Sequence, residues 1–79
     1  MKIKILFFGV LIDATNITHL ELMDGEVQST FELHDKLKEI YPLLKNYKYQ
    51  IALNHTIIKE DLKLNEGDEI AFLPPFAGG

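Results

Sequence analysis

The residues best suited to chemistry in this sequence are those that close it, Phe72-Leu73-Pro74-Pro75-Phe76-Ala77-Gly78-Gly79. Proline has no N–H to give a sheet ladder, so Pro74-Pro75 ends the preceding strand and begins a stiff stalk. Beyond it, Phe76, Ala77, Gly78 and Gly79 can reach at most about 13–14 Å from the domain. They finish in a carboxylate, and Gly78 and Gly79, lacking side chains, can thread a passage too narrow for any Cβ and present that group inside another protein. A carboxylate is inert until it is activated. Adenylation makes it a mixed anhydride, whose carbonyl carbon a sulfur donor or an amine can attack. Gly-Gly alone is a weak signal because chain ends fray; its position behind a last strand and a rigid stop gives it weight. The expected roles are Gly79 as the reacting group and Phe76, Ala77 and Gly78 as the threading tail.

Nothing else in the sequence competes as a reaction centre. His19, His34 and His55 fall on a predicted strand, helix and turn and have no cysteine to help them, whereas a metal site needs convergent ligands, so no metal is expected. Asp61, Glu66, Asp68 and Glu69 read as solvated charges near a turn, useful for attracting a basic groove on a partner rather than for acid–base work. Tyr47 and Tyr49 read as packing residues. There is no nucleophile–base pair, glycine-rich phosphate loop or cofactor motif, so catalysis and any bound cofactor are assigned to partners. The absence of cysteine removes disulfides, thiolate metal sites and side-chain persulfide chemistry, and the basic residues are all lysines, which removes a guanidinium clamp. A net charge of −4 argues against nucleic acid as a partner. The apolar run Ile5 to Ile12 is far shorter than the roughly 20 residues that cross a bilayer. Preceded by Lys2 and Lys4 it imitates a secretory signal, but no small-residue cleavage site follows, and a cytoplasmic protein is expected.

The tail needs a platform. Ile3, Ile5 and Phe7 alternate with Lys2, Lys4, Leu6 and Phe8, which predicts a strand over residues 2–8 with one face on a core. Gly9 to Asn16 has no clean period and reads as a loop or short helical turn. Ile17 to Leu22 forms a second strand with Leu20 and Leu22 on one face, closed by a turn at Asp24-Gly25. Ser29 and Glu32 make a capping box that starts a helix, each side chain meeting a backbone amide of the other. Leu33, Leu37, Ile40, Tyr41 and Leu44 form its buried stripe, and Pro42 ends or kinks it. Gln50 to Leu53 and Ile57-Ile58 are short strands around a turn at Asn54-His55. Leu62 to Leu64 leads to a turn at Asn65-Glu66-Gly67-Asp68, and Glu69 to Leu73 is the last strand. This order fills residues 1–79 as one α+β domain, with a helix on one face of a mixed sheet whose first and last strands run parallel: the β-grasp, or ubiquitin-like, arrangement.

If Ile3, Ile5 and Phe7 face the helix, Leu6 and Phe8 face away, and so do Ala71 and Leu73 when Ile70 and Phe72 point inward. Together with Pro74 and Pro75 they would form an apolar surface on the uncovered side of the sheet, the usual mark of a partner site. The competing arrangement folds Gly9 to Asn16 back over it, with Val10, Leu11 and Ile12 as cover.

Along nearly the whole chain the sequence resembles the MoaD sulfur carriers, the small subunits of molybdopterin synthase. The resemblance is carried by Ile5-Leu6-Phe7-Phe8-Gly9, by Glu32-Leu33 with Leu37 and Tyr41-Pro42, by Ala52-Leu53-Asn54, and above all by Gly67-Asp68-Glu69-Ile70-Ala71 followed by Pro74-Pro75 and Gly78-Gly79. The thiazole-forming ThiS carriers share the fold and the diglycine but usually lack the Pro-Pro pair. The resemblance implies that a ubiquitin-activating-type adenylating enzyme uses ATP to activate Gly79, and that sulfur replaces one oxygen to give a thiocarboxylate. The tail then enters the large subunit within a heterotetramer and gives its sulfur to a cyclic pterin precursor, two carriers serving each dithiolene. The family's contacts carry over to Phe8, Leu73 and Phe76. Val10-Leu11-Ile12-Asp13 lacks the basic residue and the Glu-plus-Gly ending common in the family, which leaves that segment's contacts open. Other readings remain: a ThiS-like sulfur carrier for thiazole synthesis, a protein modifier whose Gly79 forms an isopeptide bond with lysine, and an interaction domain whose tail is never activated.

Overall fold

Alternating apolar residues make the sheet. Strand β1 (Ile3–Phe7) buries Ile3, Ile5 and Phe7, and β5 (Glu69–Leu73) buries Ile70 and Phe72, so both strands turn the same parity inward. Between them in sequence come β2 (His19–Leu22), β3 (Gln50–Leu53) and β4 (Thr56–Ile58). The computed structural model describes residues 2–23, 25 and 27–75; the predicted tail, Phe76 to Gly79, and Asp24 of the predicted turn lie outside them. The five strands are ordered β2-β1-β5-β3-β4. β1 runs parallel to β5 in the centre, with Leu6 opposite Ala71 and Phe7 opposite Phe72, and the other pairings are antiparallel. This is the expected mixed sheet of a β-grasp. Asn54 and His55, both with positive φ, turn the β3–β4 hairpin, as residues tolerant of the left-handed region should.

Helix α1 (Leu11–Thr15) occupies the segment whose sequence has no clean period. It lies on the inner side: Leu11 and Ala14 join the core with Leu33, Leu37 and Leu44, while Val10 is 49% exposed. The sequence-level alternative in which Val10, Leu11 and Ile12 cover the outer face is therefore overturned. Leu11 gains complete burial against residues already facing inward, and the outer strand positions offer no such pocket.

Helix α2 (Thr30–Ile40) packs Leu33 and Leu37 on the sheet. Its capping box is only partly as expected. Ser29 Oγ accepts from the Glu32 amide (3.2 Å), but Glu32 Oε1 reaches back to the amide of Gln28 (2.9 Å) rather than that of Ser29. Asp61 Oδ1 adds a third contact, accepting from the Phe31 amide at 3.0 Å, so this carboxylate is a helix-end acceptor delivered from a distant loop and not merely a turn charge. That bond, with one from Ser29, holds the Asp61 carboxyl below its usual value. Residues 62–64 run alongside the helix entrance, where the Thr30 amide donates to Leu62 O and the Leu64 amide to Gln28 O, both at 2.8 Å. The helix stops before Pro42, and a 3₁₀ turn (Pro42–Asn46) brings Leu44 into the core. Ile40 is not part of the buried stripe. It is 47% exposed, because the core at that end of the helix is filled by Leu44 and by Tyr41, whose ring meets Phe7 edge-on at 5.9 Å.

Candidate functional site

Period-two alternation that buries five residues of β1 and β5 on one side leaves their neighbours on the other. Leu6, Phe8, Ala71 and Leu73 do share the outer face, and no described element packs over them. The β3 and β4 registers extend the surface: Ala52 stands opposite Ala71, and Ile57 opposite Ala52, giving a row Leu6, Ala71, Ala52, Ile57 across four strands. These residues, with His55 and Glu69 at one end, line a shallow groove of about 300 Å³. Phe8 is 45% exposed and Ile57 47%. Ala52 and Ile57 were not singled out from the sequence; the signal was the alternation of Gln50 to Leu53, which becomes readable only when the β3–β5 register is known. His55 Nε2 lies 3.7 Å from Glu69 Oε2 and frames the polar end of the groove.

The stalk starts beside this groove. The parallel β1–β5 ladder continues one step past Phe7, with the Phe8 amide donating to Phe72 O at 3.2 Å, so Phe8 sits alongside Leu73 and Gly9 alongside Pro74. Pro74 is half-buried and Pro75 exposed. Of the residues expected to act at the site, Leu6, Phe8, Ala71, Leu73, Pro74 and Pro75 are thus gathered in one place. Phe76, Ala77, Gly78 and Gly79 lie outside the described residues.

Behind the groove, β5 is fixed by aromatic packing. The Phe72 ring meets Phe7 at 5.2 Å, Tyr49 at 5.4 Å and His34 at 5.7 Å. His34, read from sequence as an ordinary polar position, belongs to this cluster: its Nε2 is 2.6 Å from Tyr49 Oη. Burial, reinforced by the Lys38 charge and opposed by Asp35, keeps the imidazole pKa below its ordinary value, and burial raises that of the Tyr49 phenol. The signal for His34 in the sequence was its spacing between Leu33 and Leu37 on the helix, which flanks the buried stripe.

At the far end of β5, acidic side chains close turns. Asp68 accepts from the Asn65 amide (2.7 Å) and from Asn54 Nδ2 (3.0 Å), Asn54 Oδ1 accepts from the Glu69 amide (2.9 Å), and Glu66 accepts from the Lys2 amide (3.0 Å). These bonds pin the β3–β4 turn to the start of β5. Among the described residues, no group of three or more His, Asp or Glu side chains is placed to hold a metal ion, and no helix is long and apolar enough to cross a membrane. Taken together, the described residues form an apolar outer face with the Pro74-Pro75 stalk at its edge.

A family model described as the ThiS family matches residues 5–79. The molybdopterin synthase sulfur carrier subunit of Mycobacterium tuberculosis is 36% identical in an alignment covering 100% of this chain and 99% of that one. The fold is similar to a chain in the complex of subunits 1 and 2 of molybdopterin-converting factor from Helicobacter pylori, with a TM-score of 0.77, 29% identity and full coverage of both chains. It is also similar to small archaeal modifier protein 1 of Methanosarcina acetivorans, with a TM-score of 0.80 and 23% identity over 99% of this chain and 96% of that one, a likeness of fold alone.

Proposed function

The chain belongs to the ThiS family, and from that premise we propose that it is the sulfur carrier subunit of a molybdopterin synthase, with Gly79 as the site of activation. A carboxylate oxygen of Gly79 attacks the α-phosphorus of ATP in an adenylating partner, and pyrophosphate leaves. A sulfur nucleophile supplied by that system attacks the carbonyl carbon of the acyl adenylate, AMP leaves, and a thiocarboxylate remains. The large subunit then takes the tail and uses the sulfur to build the dithiolene of a cyclic pterin precursor. In this reading the chain binds through the outer face and delivers the terminus within the reach of four residues from the stalk.

The observation that supports this reading most directly is the continuity of the groove with the stalk. Exposed Phe8 and half-buried Leu6, Ala71 and Leu73 form an apolar groove beside Pro74-Pro75, so one partner can hold the sheet and receive the tail in the same event. The adenylating enzyme and the large subunit would use this face in turn. The test is the intact mass of the purified chain after incubation with ATP, an adenylating enzyme and sulfide. Exchange of one oxygen for sulfur is expected. An unchanged mass, or an isopeptide adduct on lysine in place of the exchange, would overturn the assignment.

A further inference from the structure

Gly9 follows β1 at the point where the chain leaves the sheet, and its backbone takes φ +57, in the left-handed region. A Cβ placed on it would stand 2.9 Å from Cγ of Pro74, with Pro74 Cδ at 3.8 Å and Cβ at 3.9 Å. Such a separation is shorter than carbon atoms tolerate, so something has to move. The Pro74 ring cannot rotate away like the end of a flexible side chain, because it closes on its own backbone nitrogen and fixes φ. Repuckering of the ring can take up part of the displacement, and the remainder falls on the backbone at Gly9 and at Pro74, the first residue of the stalk. Gly67 offers the contrast within the same molecule: its φ is +84, yet a Cβ there would meet nothing within 4 Å. Glycine at position 67 answers only to backbone conformation, whereas at position 9 it also answers to the ring lying against it.

We propose that Gly9 is a positioning residue for the tail: its bare Cα is the seat of the Pro74 ring, and this seat sets the direction in which Pro74-Pro75 leaves the sheet. The proposal rests on the reading of the tail as the reacting segment only for its consequence, not for the contact itself. Parallel pairing of β1 with β5 makes the contact possible, since the two strands end side by side and the residue after Phe8 meets the residue after Leu73. A tail aimed wrongly costs turnover more than affinity, because the sheet face can still bind while the terminus misses the reacting position; misplacement by about 1 Å can lower a rate on the order of 100-fold.

The experiment reads direction first and chemistry second. The sequence has no cysteine, so Phe76→Cys carries a single nitroxide whose broadening of amide signals reports where position 76 points. In that background the broadening pattern over residues 6–8 and 71–73 is expected to change with Gly9→Ala, to return toward the parent on adding Pro74→Ala, which removes the clashing Cγ, and to stay unchanged with Gly67→Ala. Thermal unfolding should show a loss for both Gly9→Ala and Gly67→Ala, because both place a side chain at positive φ, and a larger one for Gly9→Ala, which also meets the Pro74 ring. In the unlabelled chains, sulfur donation at saturating large subunit should fall at least about tenfold for Gly9→Ala and stay near the parent for Gly67→Ala, with partner affinity nearly constant. An unchanged broadening pattern in Gly9→Ala, or a pattern indifferent to Pro74→Ala, would overturn the proposal. A parent chain that accepts no sulfur would instead refute the proposed function, and the nitroxide measurement would still decide the role of Gly9.

Discussion

Truncating Phe8 to alanine should separate recognition from folding. The side chain is 45% exposed. Of roughly 200 Å² on a phenylalanine, about 90 Å² is therefore free for a partner to cover, worth about 2.3 kcal/mol at 25 cal/mol per Å², or on the order of 40-fold in the dissociation constant from the large subunit. The remaining 110 Å² or so is already covered by the domain itself and is worth at most about 2.7 kcal/mol of stability, an upper bound because unfolded chains bury part of that surface too. Calorimetric titration of the large subunit at 10 °C, on variants shown by circular dichroism to be folded there, isolates the binding loss. Phe31→Ala is the control, since Phe31 is 51% exposed but lies at the start of α2, on the helix side of the sheet. A loss in the range of 10- to 40-fold for Phe8→Ala with less than a threefold change for Phe31→Ala is expected. Equal effects of the two, or undiminished binding by Phe8→Ala, would show that the outer face is not the recognition surface.

Deleting Gly79, or extending the chain beyond it, should abolish sulfur loading in the mass assay while the thermal midpoint stays within the small range of exposed substitutions; a large stability loss would mean that the terminus is a packing element. Ser29→Ala removes the acceptor of the Glu32 amide and should cost about 1 kcal/mol, read as a fall of roughly 4–8 °C in Tm, with sulfur loading per folded molecule unchanged. The folded state holds the His34 pKa below 6.5, so around that pH the unfolded chain binds the extra proton. Stability should be full above that range, decline as the pH falls from about 7 toward the lowered folded value, and level off below it. Urea midpoints between pH 8 and 5 measure the slope, which His34→Gln should flatten. Asp61 titrates from below its usual 3.8 and leaves this window undisturbed.

Much of this was legible in the sequence because period and punctuation agreed. The alternation of Ile3, Ile5 and Phe7, the Ser29 cap and the Pro74-Pro75 stop each specify local geometry, and local geometry fixes which side chains share a face. What escaped depended on register or on distant partners. Nothing near Ala52 in sequence says that it stands opposite Ala71, nor does anything near Asp61 say that its carboxylate ends at the Phe31 amide. His34 hid for the same reason, since its partners Tyr49 and Phe72 come from two other elements. The course of Gly9 to Asn16 was ambiguous because Val10, Leu11 and Ile12 are consecutive apolar residues with no period; the competition was settled by Leu11 finding complete burial on the inner side.

The direction of the central strand pair places the outer apolar face beside the stalk. Had β1 and β5 been antiparallel, the end of β1 would lie beside the start of β5, and Phe8 would sit about a strand length from the stalk, roughly 17 Å for five residues at 3.4 Å each. In the parallel register Phe7 faces Phe72, so both strands finish at the same border and Phe8, Leu73, Gly9 and Pro74 are neighbours. The inner face can then be committed to the core. Replacing Phe72 by alanine would remove about 3–5 kcal/mol from a total of about 4–12 kcal/mol for a chain of this length. The outer face keeps Phe8 and Ile57 nearly half exposed and so retains apolar area for a partner to cover. A partner that grips it holds the base of the tail as well, so binding and aiming become one geometric event.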